Sequence, residues 1–212
     1  MPTCGVGSIV GLVLGIISLS KISKSRGQLG GHGMALAGTI ISGISLVLVP
    51  IIAILAAMLL TALARAKARA QTFACESNVK QLCLGVIMYA GDNNEQLPPA
   101  NTWCDAISKY LGGSEKPFKC FAGDQSQRSH YAFNARLQGV RLGRIQSPNL
   151  TVLIFETDGG WNLSGGPELL LNKPRHISSV VVGFADGHVE AVPLSRLGQL
   201  RWDPGIARGG GG

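Results

Sequence analysis

Five cysteines, at positions 4, 75, 83, 104 and 120, and four histidines, at 32, 130, 176 and 188, are the side chains best suited to metal binding or nucleophilic chemistry. No Cys-x-x-Cys pair occurs, so a zinc-ribbon reading is weak. Cys75 and Cys83 are eight residues apart on one helical stretch, about 12 Å by helical rise. A disulfide needs Cα atoms within about 7 Å. Cys104 and Cys120 flank a short helix and its loop, and are the pair placed to form a disulfide in an oxidising compartment. The alternative is that both are small buried residues.

Carboxylates add further candidates. Glu156 ends an apolar run and Asp158-Gly159-Gly160 follows it, so Glu156, Asp158 and His176 are one conceivable metal set. The wider cluster of His130, Glu156, Asp158, His176, Asp186 and His188 is the only support for an enzyme or metal module. Asp92-Asn93-Asn94-Glu95 offers four oxygen side chains in a loop. Calcium takes six to eight oxygens and the spacing is not an EF-hand loop. Helix-end and turn chemistry explains these residues more simply. No Ser-His-Asp signature, phosphate loop or His-Glu-x-x-His occurs. The reading therefore assigns no catalytic, cofactor-binding or metal residue, no enzyme activity and no small-molecule substrate. Calcium is the one cofactor kept as an alternative.

Asp186-Gly187 joins two apolar runs, 180–185 and 188–192. Asp-Gly in that setting signals a two-residue hairpin, whose type I′ turn needs positive φ at both central residues. Ala185 would then pair with His188. His176 would lie some 30 Å from Asp186 along an extended strand, at about 3.3 Å per residue. Asp186 is thus read as a turn former, and His176 as an orienting or packing residue.

The elements around these residues are legible in part. Thr102 to Leu111 reads as a short helix capped by Thr102 and ended by Gly112-Gly113. Val152 to Phe155 is a strand. Val79, Leu82, Cys83, Val86 and Ala90 recur at helical spacing, and no breaker appears before Gly91. One helix is therefore expected from about Ile40 to Tyr89 or Ala90, with an apolar stripe on its second half that must bury against residues 95–205.

The first half of that helix is a different kind of segment. Of the 212 residues, 46% are hydrophobic and only 15% charged, with 6% aromatic and a mean hydropathy of +0.26. Soluble domains carry about 25% charged residues. The composition excludes a disordered chain and argues against an ordinary soluble enzyme. Residues 34–63 contain no charge, and twelve of residues 40–59 are Ile, Leu or Val. At roughly −0.3 to −0.6 kcal/mol each, they contribute about −5 kcal/mol to insertion. A spanning helix is expected, kinked at Pro50, which removes one backbone hydrogen bond.

Residues 4–20 form a second uncharged stretch of 17 residues, at the short limit for a span. Gly7, Gly11 and Gly15 fall on one face and admit a close helix partner. Residues 21–33, with four glycines and three basic groups, read as the turn of a helical hairpin. The net charge of +7 fits this picture better than nucleic-acid binding. Residues 1–74 have no acid and carry Lys21, Lys24, Arg26, Arg65, Lys67 and Arg69, whereas residues 75–212 hold 13 basic groups against all 12 acids. The excess flanks the apolar segments. The expected partner is therefore the lipid bilayer and not nucleic acid. Charge alone leaves orientation undecided, because each side of the second span has three basic groups.

Ile51-Ile52-Ala53-Ile54-Leu55-Ala56-Ala57-Met58-Leu59-Leu60, followed by Ala62-Leu63-Ala64-Arg65-Ala66-Lys67, resembles the end of a type IV pilin-like N-terminal helix. Cys75-Glu76-Ser77-Asn78-Val79-Lys80-Gln81-Leu82 and Met88-Tyr89-Ala90-Gly91-Asp92-Asn93-Asn94 continue the likeness to bacterial pseudopilins, including those of type II secretion. His176, followed after nine residues by Asp186-Gly187, resembles the His-x9-Asp-Gly domain associated with prepilin processing. Alignment on residues 51–60 puts Thr39 and Ile44 where the processing glycine and the glutamate would stand, so prepilin peptidase cleavage is not expected. Residues 11–46 are similar to a bacterial two-helix membrane domain of unknown function.

The resemblance implies an α+β fold. A transmembrane helical hairpin (1–63) would lead, through its second helix, into a pilin-like long helix packed on a small antiparallel sheet (64–205), with a flexible tail (206–212). It implies a two-pass protein of the bacterial cytoplasmic membrane with its head extracytoplasmic. Its partners would be other pilin-like or envelope proteins or further copies of itself, in an envelope or type II secretion-like system.

Overall fold

A computed structural model describes residues 3–25, 31–171 and 173–205, with side chains for all but residues 3–6 and 8. The centre of the glycine-rich turn (26–30), the side chain of Cys4 and the tail from 206 onward lie outside the described residues. The chain divides into two compact units, Met1–Arg65 and Ala66–Gly212.

The first unit contains helix α1 (Thr3–Lys24) and the start of helix α2 (His32–Asp92). A Cβ built on Gly11 would lie 2.8 Å from Ser42 Oγ, and one on Gly15 would collide with Thr39 Oγ1. These two glycines therefore face α2 closely. Gly7 has nothing within 4 Å among the described residues. Thr39 donates to the Ala35 carbonyl at 2.7 Å, and Thr61 to that of Met58 at 2.8 Å, so the helix satisfies their hydroxyls itself. Pro50 lies inside α2, and helix continues on both sides of it. The apolar segment of α2 reaches a mean hydropathy of 2.9 over 18 residues, none of them buried. Ile52, Leu55, Met58, Leu59 and Leu63 are each at least 60% exposed. By length and composition this helix is long and apolar enough to cross a membrane.

In the second unit the same helix changes character. Cys75, Val79, Leu82, Cys83, Val86 and Ala90 are all buried. They face a sheet of strands β1 (Tyr131–Asn134), β2 (Val152–Glu156), β3 (Ser164–Gly165), β4 (Ser179–Phe184) and β5 (Val189–Pro193), in the order β3-β1-β2-β4-β5. The sheet is mixed, because β1 and β3 run parallel while the other pairs are antiparallel. This corrects the expected antiparallel sheet.

Side chains alternate across it. Tyr131, Phe133 and Val181 face the helix, while Ala132, Val180, Val182 and Phe184 face a second core with Phe155 and Trp202. Gly183 allows the close approach of α2. A Cβ there would strike Cys83 Sγ and lie 2.8 Å from Val79 Cγ1. Helix α3 (Trp103–Ser108) passes into a 3₁₀ turn over Lys109–Leu111, which ends at Gly112, whose φ is +64°. Thr102 makes no side-chain cap, contrary to expectation, and only its carbonyl joins the helix, accepting from the Ala106 N–H at 2.9 Å.

The β4–β5 connection also differs from the two-residue turn. Gly187 has φ +86°, but Asp186 is not in the positive region. The Gly187 N–H donates to the Phe184 carbonyl at 2.8 Å, and the Phe184 N–H to that of His188 at 2.9 Å. This is a three-residue loop, a type I turn closed by a left-handed glycine. Ala185 bonds instead to the Thr151 carbonyl.

Candidate metal centre

Four buried side chains from four separate segments converge beside α2. Cys75 Sγ, Cys120 Sγ and one ligating atom each of Glu156 and His176 all lie within 4.8 Å of one another. Cys75 opens the buried stripe of α2. Glu156 is the last residue of β2, directly opposite Tyr131 of β1. Its Oε2 accepts the Val181 N–H at 2.8 Å, which fixes the carboxylate against β4.

His176 reaches the cluster because the chain folds back just before β4. Ser178 has φ +55°, and the Ser179 N–H donates to the His176 carbonyl at 3.3 Å. His176 Nε2 then lies 3.0 Å from Glu156 Oε1 and 3.4 Å from Cys120 Sγ.

Cys120 is held by a clamp built on His130. The Cys120 N–H donates to His130 Nδ1 at 3.0 Å, so the ring proton sits on Nε2, which donates to the Asp124 carbonyl at 2.8 Å. Burial holds the His130 pKa down, in keeping with this neutral tautomer. Asn78, one turn beyond Cys75, donates to the Lys119 carbonyl at 2.8 Å and ties the same loop to α2.

Burying these groups together shifts their protons. The Cys120 thiol, with help from His176 and Tyr131, pulls Cys75 down to about 5 against the effect of burial. Cys120 is pushed up, by Cys75 first and by burial second. Burial pushes His176 down, but Cys75 and Glu156 outweigh it and raise the imidazole to about 9. The hydroxyl of Tyr131 is buried beside Cys75 without a hydrogen-bond partner of ordinary geometry. Two soft sulfurs, an imidazole and a carboxylate are a donor set for a transition metal. With all four residues 5% exposed or less, the site is closed to a substrate. The open cleft of about 490 Å³ lined by Ile87, Glu95, Leu142, Pro148 and Asp186 lies elsewhere.

The sequence-based candidates are redistributed. Glu156 and His176 come together, but Asp158 points outward at 94% side-chain exposure, 3.5 Å from Arg175. Cys104 and Cys120 are both free thiols, which corrects the expected disulfide. The Cys104 sulfur accepts the Asn162 N–H at 3.3 Å, whereas that of Cys120 faces His176. Asp186 does not meet His176. It accepts from His188, N–H at 3.0 Å and Nδ1 at 2.6 Å, and its Gly187 carbonyl accepts from Lys80 of α2 at 2.6 Å. The nine-residue spacing thus places a ligand-type histidine before β4 and a helix-pinned turn after it. Asp92 accepts from Tyr110 at 2.7 Å, and Asn94 and Glu95 adopt positive φ, so the proposed calcium loop is engaged in turn chemistry.

Cys83 and Cys104 are different from the clustered pair. Burial pushes both up to about 12. They remain protonated, and a folded chain at pH 8 is expected to leave both unmodified by iodoacetamide over an hour, with labelling after urea unfolding. Peptide mass mapping reads this directly, and rapid labelling in the folded state would contradict it.

Comparison with known proteins reaches only the amino-terminal quarter. A family model described as Domain of unknown function (DUF4190) matches residues 1–54. None of the curated proteins and none of the solved structures matches the chain.

Proposed function

We propose that this chain is a membrane-anchored, pilin-like structural or assembly protein of a bacterial envelope or type II secretion-like system. It acts through protein contacts and not through catalysis. The observation that carries this reading is the division of labour along α2: an exposed apolar stretch suited to lipid, then a buried stripe that serves as the spine of an α+β head. The approach of Gly11 and Gly15 to Ser42 and Thr39 supports a two-span hairpin anchor. Two spans with an external head put the amino terminus outside and residues 21–33 inside. The partners are other pilin-like or envelope proteins, or further copies of the chain.

A second reading, a tethered metal-binding or hydrolytic module, draws on the meeting of Glu156 and His176. Its hydrolytic half needs an open ligand position, which a fully buried donor set does not offer.

Orientation is the discriminating property. Alkaline phosphatase fused after Gly212 is expected to be active, and a green fluorescent protein fused there dark when exported through the general secretory route. Activity confined to the fluorescent fusion would place the head in the cytoplasm and overturn the proposal.

A further inference from the structure

We propose that Cys75, Cys120, Glu156 and His176 hold one zinc ion, which locks the head of the protein together. The inference is independent of the pilin-like reading and of where the head resides.

Geometry comes first. Zinc with Zn–S near 2.3 Å and Zn–N and Zn–O near 2.0–2.1 Å sets tetrahedral ligand atoms about 3.6 Å apart for S and N, and about 3.3 Å for N and O. The observed separations are 3.4 Å for Cys120 Sγ to His176 Nε2 and 3.0 Å for His176 Nε2 to Glu156 Oε1. All four donors fall within 4.8 Å of each other, so one ion reaches every one of them after small side-chain shifts.

Chemistry comes second. Two thiolates and an imidazole select zinc over calcium or magnesium, which take oxygen ligands. Glu156 completes four coordination and leaves no open position, the hallmark of a structural site. On binding, Cys120 gives up its S–H proton and His176 its Nε2 proton, both to solvent.

Surroundings come third. Carboxylate, imidazole and two sulfurs together in a core are expensive without compensation, and a divalent cation supplies it. The Tyr131 hydroxyl, buried next to Cys75 without a hydrogen-bond partner of ordinary geometry, is placed to donate to the ligated sulfur. The supporting shell is already built: Val181 N–H on Glu156, and His130 and Asn78 on the Cys120 loop. An ion here joins α2, the loop after α3, the end of β2 and the segment before β4.

The test uses the full chain purified in detergent under reducing, chelator-free conditions. Elemental analysis is expected to give about one zinc per chain. Metal stripped with a chelator and replaced by cobalt(II) should give thiolate charge-transfer absorption and the intense visible bands of tetrahedral coordination. C75S and H176A should each lose the zinc, while C83S and C104S keep it. The cobalt spectrum of the unmutated chain needs no variant to fold. Absence of both zinc and the cobalt spectrum would overturn the proposal, as would stoichiometric zinc retained in C75S/H176A.

Discussion

Trp103→Ala should cost the head about 3–5 kcal/mol, the range for removing a fully buried large aromatic. Trp103 is completely buried at the start of α3. Its ring stacks on Phe133 at 6.1 Å and packs at 5.8 Å on Phe118, and its indole N–H donates to the Leu163 carbonyl at 2.9 Å. Truncation removes the aromatic contacts, opens a cavity in the core that α2 shares and leaves the Leu163 carbonyl with only the Phe133 N–H as donor. Domains are stable by about 5–15 kcal/mol in total, so this single change consumes a large part of the margin. Urea unfolding of the full chain in detergent, followed by near-ultraviolet circular dichroism, measures it. Leu84→Ala, on the exposed side of α2, should change stability by less than about 0.5 kcal/mol. A loss below about 1 kcal/mol for Trp103→Ala would contradict the packing described.

The second large effect concerns the anchor. Ile52→Arg combined with Leu55→Arg should abolish stable membrane insertion. Both side chains are 60% exposed in α2, at the centre of the uncharged stretch 34–63. The apolar residues contribute about −5 kcal/mol, and each arginine near a helix centre costs about 2.5–3.5 kcal/mol. Two of them, with the loss of two apolar side chains, turn a favourable insertion unfavourable. Moving the arginines to Phe73 and Leu84, exposed positions in the second unit, should leave insertion intact.

Much of the fold could be read from side-chain periodicity. The stripe from Val79 to Ala90 and the runs around Val152, Val181 and Val192 are strong period signals because one face of each is buried. Strands β1 and β3 were not legible. Tyr131–Asn134 is only four residues long and lies between His130 and a 3₁₀ turn, and Ser164–Gly165 is two residues held by pairing with β1. The loop at Asp186-Gly187 was expected as a hairpin, but its length depends on the Phe184–His188 pairing, which local sequence does not set. The candidate site was half visible. Glu156 and His176 stood out as a polar pair near strand ends. Cys75 and Cys120 did not join them, because the four donors come from sequence positions 45, 36 and 20 residues apart and meet only through the tertiary fold. Asp158 was the misleading neighbour: it has the right chemistry two residues from Glu156, but the chain turns it to solvent.

Alkaline carbonate extraction of membranes from cells expressing the full chain tests the anchor most directly. The chain should remain wholly in the membrane pellet and dissolve only with detergent, while the Ile52→Arg/Leu55→Arg chain moves to the supernatant. Recovery of the unmodified chain in the carbonate supernatant, folded and monodisperse without detergent, would contradict the reading of α2 as a lipid-embedded helix.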